Sequence, residues 1–200
     1  MRGWILLLGF LAGGLLSSLE AMKDRPDSSL LAAGIEAALK GDLPKLEELL
    51  AREDSTEWLN TPYQDGPTFL TLACYHGYPR LVEKLLAHPS IDVNQPGDLL
   101  ALPRGSALTV LARRRILYTD HLQILQQLLR HPQLAVNQPN ENGANTLQMS
   151  ITQGHDEAVE LLLQHPDIDI NQKYSGLPPL IMAAYLNEGR IIAHLLARPE

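Results

Sequence analysis

The chain has 200 residues, a formal net charge of −7 and 45% hydrophobic residues, which is the composition of a folded globular protein and not of a disordered one. Its acidic residues are scattered singly, and no basic stripe is present that could follow a phosphate backbone. This composition argues against nucleic acid as the main partner.

The N-terminal segment has the pattern of an export signal. Residues 3–19 are uncharged and follow Arg2, and small residues lead to a predicted cut after Ala21. A retained membrane anchor is the alternative, but this uncharged stretch is shorter than the roughly 20 residues that cross a bilayer. We therefore predict a secretory signal peptide over 1–21 and a linker over 22–29.

The single cysteine, Cys74, cannot form an internal disulfide, so an exported chain of this kind must be stabilised by packing. Cys74 follows Ala73 at a small, apolar helix position. We expect it to be buried, with a reactive thiol or an intermolecular disulfide as the alternatives.

The rest of the chain is repetitive. HPSIDVN at 88–94 returns as HPQLAVN at 131–137 and as HPDIDIN at 165–171, and a cut-off RPE stands at 198–200. The equivalent prolines, 89, 132, 166 and 199, are separated by 43, 34 and 33 residues. The period is therefore about 33 residues, with one expanded unit.

Two helical segments precede each copy of this motif. The second has Leu, Ile and Val at i, i+3, i+4 spacing and ends near the proline, which cannot continue a helix. The first is followed by Gly77, Gly154 or Asn187, residues that suit the left-handed conformation between two helices. One helix-turn-helix pair per unit is predicted.

These residues resemble the ankyrin repeat, whose pattern is G-x-T-P-L-H-x-A-A-x-x-G, then a V-x-x-L-L helix and a D-V-N hairpin base. The resemblance covers about residues 30–200 and is closest from Asp65 to Asn94. It implies an all-α ankyrin-repeat solenoid of stacked helix-turn-helix units with short hairpin loops. The predicted units are an N-terminal capping unit at 30–60, a repeat at 61–94, an expanded repeat at 95–137, a repeat at 138–171 and an incomplete C-terminal repeat at 172–200.

The family's histidine in T-P-L-H, which supports the contacts between units, is missing here. Thr71, Thr109, Gln148 and Ile181 stand in its place. Threonine and glutamine can substitute in part, but isoleucine cannot. We therefore expect a less regular loop network towards the C-terminus.

The expanded unit has about five extra residues between its helices, around Arg113 to Thr119, and a longer hairpin at 95–104. Insertions in repeat proteins map to loops, which often bind partners. Arg113, Arg114 and Arg115 either dock an acidic partner or phosphate group, or form a solvated face on an extended helix. The nearby Tyr118 favours a contact site.

No catalytic constellation, phosphate-binding loop or cofactor motif is visible, so we predict neither enzyme activity nor a cofactor. His88, His131 and His165 recur in register, but stacked units would hold them roughly 10 Å apart, too far to share a metal ion. We interpret them as helix-capping histidines and predict no metal site.

Members of the family bind partners through hairpin tips and the inner helix face. Carried over by alignment, these positions are Tyr63, Gln64, Tyr75, His76, Asn140, Glu141, Thr152, Gln153, Lys173, Tyr174 and Tyr185. Four of the six tyrosines of the chain fall among them. This enrichment favours protein recognition, with coverage of the apolar seams between units as the alternative.

The last unit ends on an apolar helix, although the end of a solenoid needs a polar outer face. Either the natural chain is longer, or this end packs on a second copy or on a partner. The resemblance and the export signal together predict a non-catalytic interaction module, periplasmic or secreted, that binds or inhibits a partner protein. The alternatives are a host-directed ankyrin effector of an intracellular bacterium and, if the N-terminal segment is not cleaved, a membrane-anchored scaffold.

Overall fold

The structure, a computed structural model, describes residues 29–63, 66–99 and 103–198. The predicted signal peptide and linker up to residue 28, Gln64 and part of the 95–104 hairpin lie outside the described residues. The described residues form helices, turns and two isolated bridges. None of these helices has the length and apolar character needed to cross a membrane.

The helices alternate along the chain with short turns and hairpin loops. They are α1 Ser29–Lys40, α2 Leu43–Leu50, α3 Ser55–Trp58, α4 Phe69–His76, α5 Pro79–Leu86, α6 Ala107–Ala112, α7 Thr119–Leu129, α8 Thr146–Gln153, α9 Asp156–Leu163, α10 Pro179–Tyr185 and α11 Gly189–Ala197.

The helices stack in two rows. One row contains α1, α4, α6, α8 and α10, and the other contains α2, α5, α7, α9 and α11, each helix packing on the next in its row. One continuous hydrophobic core runs through the stack, from Ile35 in α1 to Leu195 in α11. The predicted all-α solenoid of helix-turn-helix units is confirmed, and its last described unit contains both helices.

Left-handed residues join the two helices of a pair, as predicted. The φ angles are 78° at Gly77, 69° at Gly154 and 60° at Asn187. The Gly77 N–H donates to the Ala73 carbonyl at 3.1 Å, which closes the end of α4. The chain therefore reverses within two residues, and the second helix can pack on the first.

Two of the residues that replace the family histidine, Thr71 and Gln148, form hydrogen bonds at the helix starts, as predicted. The Thr71 hydroxyl accepts from the N–H of Thr68 at 2.9 Å and donates to its carbonyl at 2.9 Å. The Gln148 side chain caps α8 and donates to the Gln172 carbonyl in the next unit at 2.5 Å. Ile181 is 51% exposed, and no side-chain cap forms at the start of α10. The last unit therefore lacks the side-chain contacts that Thr71 and Gln148 make at the helix starts of earlier units.

Asparagines at the hairpin bases tie each unit to the next. The side-chain Nδ2 donates to one backbone carbonyl of the following hairpin, and Oδ1 accepts a backbone N–H two residues further on. The two distances are 2.7 and 2.8 Å for Asn60, 2.7 and 2.8 Å for Asn94, and 2.6 and 2.9 Å for Asn137. We call this series of contacts the asparagine ladder; it continues across the expanded unit.

The recurrent histidines have a different role from the one predicted. In His88, His131 and His165 the ring Nδ1 accepts the backbone N–H two residues later, at 3.2, 3.4 and 3.2 Å. The rings therefore cap the turn that follows the helix, not the last helical carbonyls. The recurrence of these histidines is therefore explained by the same hydrogen bond to the turn in three units.

Cys74 is fully buried, as predicted. Burial raises the pKa of its thiol, because a thiolate would lie in an apolar core. The buried thiol is packed as a small hydrophobic side chain and is not available as a nucleophile.

Candidate protein-binding surface

The insertion in the expanded unit is a loop. α6 ends at Ala112 and α7 begins at Thr119, so residues 113–118 separate the two helices. In the preceding unit only Gly77 and Tyr78 separate α4 from α5, so this loop is four residues longer. The alternative of a solvated face on an extended helix is therefore wrong, because the helix stops before the three arginines.

Arg114 belongs to this loop, and its side chain contacts the preceding unit. Its guanidinium donates to the Tyr75 carbonyl of the preceding unit and lies 4.8 Å from the centroid of the Tyr75 ring, a cation–π distance. His155, at the start of α9, donates from Nε2 to the Arg114 carbonyl at 2.5 Å. Arg114 thus clamps three successive units together, which corrects the prediction that it docks a partner.

Three histidines around the Arg114 clamp resist protonation. Burial, together with the charge of Arg114 and the proximity of His121, lowers the pKa of His76 to about 4. Burial, followed by the charge of Arg114, lowers the pKa of His121, and burial also lowers that of His155. All three rings are therefore neutral at pH 7, and His121 keeps its Nδ1 free to accept the Tyr118 N–H at 3.3 Å.

Two of the predicted contact residues are buried. Tyr63 is 2% exposed and belongs to the hydrophobic core. Asn140 is 7% exposed, and its side-chain oxygen accepts the backbone N–H groups of Asn142 and Ala144 at 3.0 and 3.1 Å. Both side chains stabilise the fold. The prediction of Tyr63 as a partner contact is corrected, whereas Asn140 still lines a cavity at the surface. His76 is also withdrawn from solvent in part, since its ring stacks on Tyr78 at 5.9 Å between centroids.

Other predicted contact residues do reach the surface. Tyr185 is 84% exposed and Tyr118 is 59% exposed. The remaining exposed members of the predicted set are Arg115, Glu141, Thr152, Gln153 and Lys173, while Tyr75 and Tyr174 are half-buried.

Five of the predicted residues meet at one cavity. It has a volume of about 160 Å³ and lies beside the insertion loop. The five are Arg113, Asn140, Thr152, Gln153 and Tyr174.

The same cavity is lined by residues that the sequence argument missed. Ala144 and Met149, 6% and 8% exposed, add an apolar lining, and Asn142 adds an exposed amide. The sequence does indicate an apolar residue at this place, since Met149 occupies the repeat position that the buried Leu72 has two units earlier. The surface therefore combines an apolar base with polar groups around it, as protein-binding pockets do.

The outer face of the last unit is apolar and exposed, as the sequence suggested. Leu180 and Ile181 are 36% and 51% exposed, whereas the equivalent Leu70 and Thr71 are 3% and 0% exposed beneath the next unit. The amide of Asn171, the next position of the asparagine ladder, makes no hydrogen bond within the described residues. What covers this face stays a prediction.

A stack of helix pairs with exposed polar and aromatic groups defines a repeat solenoid, a class of protein that presents an extended binding surface. Residues 114–200 match the family described as ankyrin repeats (3 copies), so this part of the chain consists of ankyrin repeats. Ankyrin repeats are protein–protein interaction modules and are typically non-enzymatic, which supports an interaction role for the chain. Among curated proteins no sequence matches the chain significantly.

Proposed function

We propose that this ankyrin-repeat protein acts outside the cytoplasm, in a periplasm or after secretion, where it binds or inhibits a partner protein without catalysing a reaction. The observation that carries the proposal is the surface formed by the cavity at Arg113 and the exposed Tyr185. Tyrosine and arginine are the side chains that most often dominate protein interfaces.

The size of the cavity supports a protein partner over a small-molecule substrate. At about 160 Å³ it is well below the roughly 300 to 1,000 Å³ of typical ligand pockets. It can accept one side chain of a partner, while the exposed Tyr185 and Lys173 offer further contacts elsewhere on the stack. Tyrosine adds large contact area at little cost in conformational entropy.

The proposed location rests on two features. Residues 3–19 have the uncharged, apolar character of a signal segment. Cys74 is fully buried, so the described residues present no thiol to an oxidising compartment.

Binding can be tested by capturing partners from the native compartment and then measuring affinity with purified components. Tyr185→Ala should weaken the captured complex at least tenfold, because it removes a large exposed aromatic contact. Glu160→Ala, an exposed change on α9 in the other row of helices, is the matched control and should leave affinity unchanged. Equal affinity of all three proteins would refute the proposed surface.

Location can be tested by expressing the full chain with a C-terminal tag and fractionating the cells. Export with cleavage predicts a chain that begins at Met22 and leaves the cytoplasm. An uncut chain in the membrane fraction would support the anchored scaffold, and recovery from host cells would support the effector.

A further inference from the structure

Arg113 differs from Arg114 in having no internal acceptor. It lies half-buried at the edge of the 160 Å³ cavity, and its guanidinium forms neither a hydrogen bond nor an ion pair with the part of the chain that the structure describes. A guanidinium carries five N–H donors and stays charged at any physiological pH. A partly desolvated guanidinium with unused donors is a suitable seat for an anion.

The charged and polar groups around Arg113 narrow the choice of anion. Burial lowers the pKa of Arg113, whereas the negative charges of Glu141 and Tyr174 raise it. Both side chains therefore lie close enough to influence the guanidinium electrostatically without forming a bond to it. Among the residues that the structure describes, Arg113 is the only cation that lines the cavity. One guanidinium matches the single charge and planar fork of a carboxylate, while a doubly charged phosphate generally needs more positive charge.

The rest of the lining suits an acidic side chain and not a free anion. Ala144 and Met149 offer apolar contacts that methylene groups can cover, and the exposed amides of Asn142 and Gln153 can donate to a carboxylate oxygen. The small volume leaves room for one side chain.

We propose that the Arg113 cavity is a carboxylate subsite that receives one Asp or Glu side chain of a protein partner. The proposal rests on the proposed function and deepens it, since it specifies what part of a partner is recognised. The Arg113 guanidinium pairs with the carboxylate, and Met149 packs against the methylene groups that carry it. Glu141, whose negative charge acts on Arg113, is an internal competitor for the same cation.

The subsite can be tested without a partner, by NMR of the chain labelled at its methionine methyl groups. N-acetylglutamic acid α-amide is the probe, and N-acetylglutamine amide is its uncharged match; inorganic phosphate tests the other anion. We expect the Met149 methyl signal, assigned with Met149→Leu, to shift saturably at millimolar concentrations of the glutamic acid probe alone. Equal shifts with the glutamine probe, or shifts with phosphate alone, would overturn the carboxylate assignment.

Variants of Arg113 test whether the shift of the Met149 methyl signal depends on the guanidinium. Arg113→Gln should weaken probe binding tenfold or more, since hydrogen bonds to a charged group are lost. Arg80→Gln makes the same change of net charge at an exposed position on α5 and should have no effect. Arg113→Lys keeps the charge without the fork and should give an intermediate affinity, and Glu141→Gln should bind the probe more tightly at low salt.

The two proposals fail separately. If the probe does not bind in the cavity while Tyr185→Ala still weakens binding of a captured partner, the carboxylate subsite is wrong and the interaction function stands. If the probe binds through Arg113 while no partner depends on Tyr185, the carboxylate subsite stands and the proposed interaction surface is wrong. Unchanged probe affinity in a folded Arg113→Gln protein, with a native circular dichroism spectrum, would overturn the subsite directly.

Discussion

The asparagine ladder offers a stability experiment with its control built into the sequence. Asn137 donates to the Asp167 carbonyl at 2.6 Å and accepts the Asp169 N–H at 2.9 Å, so Asn137→Ala removes two hydrogen bonds between units. Asn171 occupies the same position in the last unit but makes no side-chain hydrogen bond in the described residues. Asn171→Ala therefore changes the same residue type without breaking the ladder.

The expected cost follows from the number of bonds. Each net hydrogen bond contributes about 1 kcal/mol, so Asn137→Ala should lower the free energy of unfolding by about 2 kcal/mol. Both bonds are exposed, so water limits the penalty for the orphaned backbone groups. Asn137→Asp keeps the acceptor and loses the donor, and we expect it to cost about half as much.

Urea unfolding followed by circular dichroism measures the difference. With an m-value of roughly 2 kcal/mol per molar urea, the midpoint of Asn137→Ala should fall by about 1 M, and that of Asn171→Ala should stay within about 0.2 M of the parent protein. Equal losses in the two variants would show that the effect is local to the hairpin. In that case the reasoning that the ladder joins the units would be wrong.

Three further predictions concern burial, pH and association. Ser150 is fully buried with an unpaired hydroxyl where Ala73 stands in an earlier unit, so Ser150→Ala should stabilise the protein by about 1 kcal/mol in urea unfolding. Folding lowers the pKa of His76 from 6.5 to about 4, so the folded state disfavours the protonated ring. The free energy of unfolding is therefore unaffected by His76 above pH 6.5 and decreases as the pH falls from 6.5 towards 4. Between pH 7 and 5 the parent protein should therefore lose about 1 to 2 kcal/mol that His76→Gln retains; equal losses would contradict the shift. If a second copy covers the last unit, sedimentation should show association that Ile181→Lys abolishes, and a monomer at high concentration would reject that interface.

The fold was predictable because its determinants are local and repeated. Proline after an apolar-periodic helix and a glycine such as Gly77 in the left-handed region act through the backbone of one unit, so the same signal recurs at each period. The replacement of the family histidine by Thr71 or Gln148 could also be weighed from side-chain chemistry alone. Both side chains offer an acceptor at the helix start, as the structure confirms.

The candidate site was less predictable because burial depends on contacts between units. Arg113, Arg114 and Arg115 are equivalent in sequence, but only the path of the insertion loop brings Arg114 over Tyr75 and leaves Arg113 beside the cavity. Tyr63 lies where a hairpin residue is usually accessible, yet it packs into the core. No pattern within one unit distinguishes these outcomes, since the neighbouring unit decides them.

The asparagine ladder has a consequence for how length changes are absorbed. Asn60 and Asn94 are 34 residues apart, and Asn94 and Asn137 are 43 apart, yet each side chain makes the same pair of contacts to the next backbone. The rise from one unit to the next is thus fixed at the hairpin base, and the connection between the helices is free to vary. The loop 113–118 is therefore a place where new recognition segments can be grafted without disturbing the asparagine ladder, provided that Arg114 is kept.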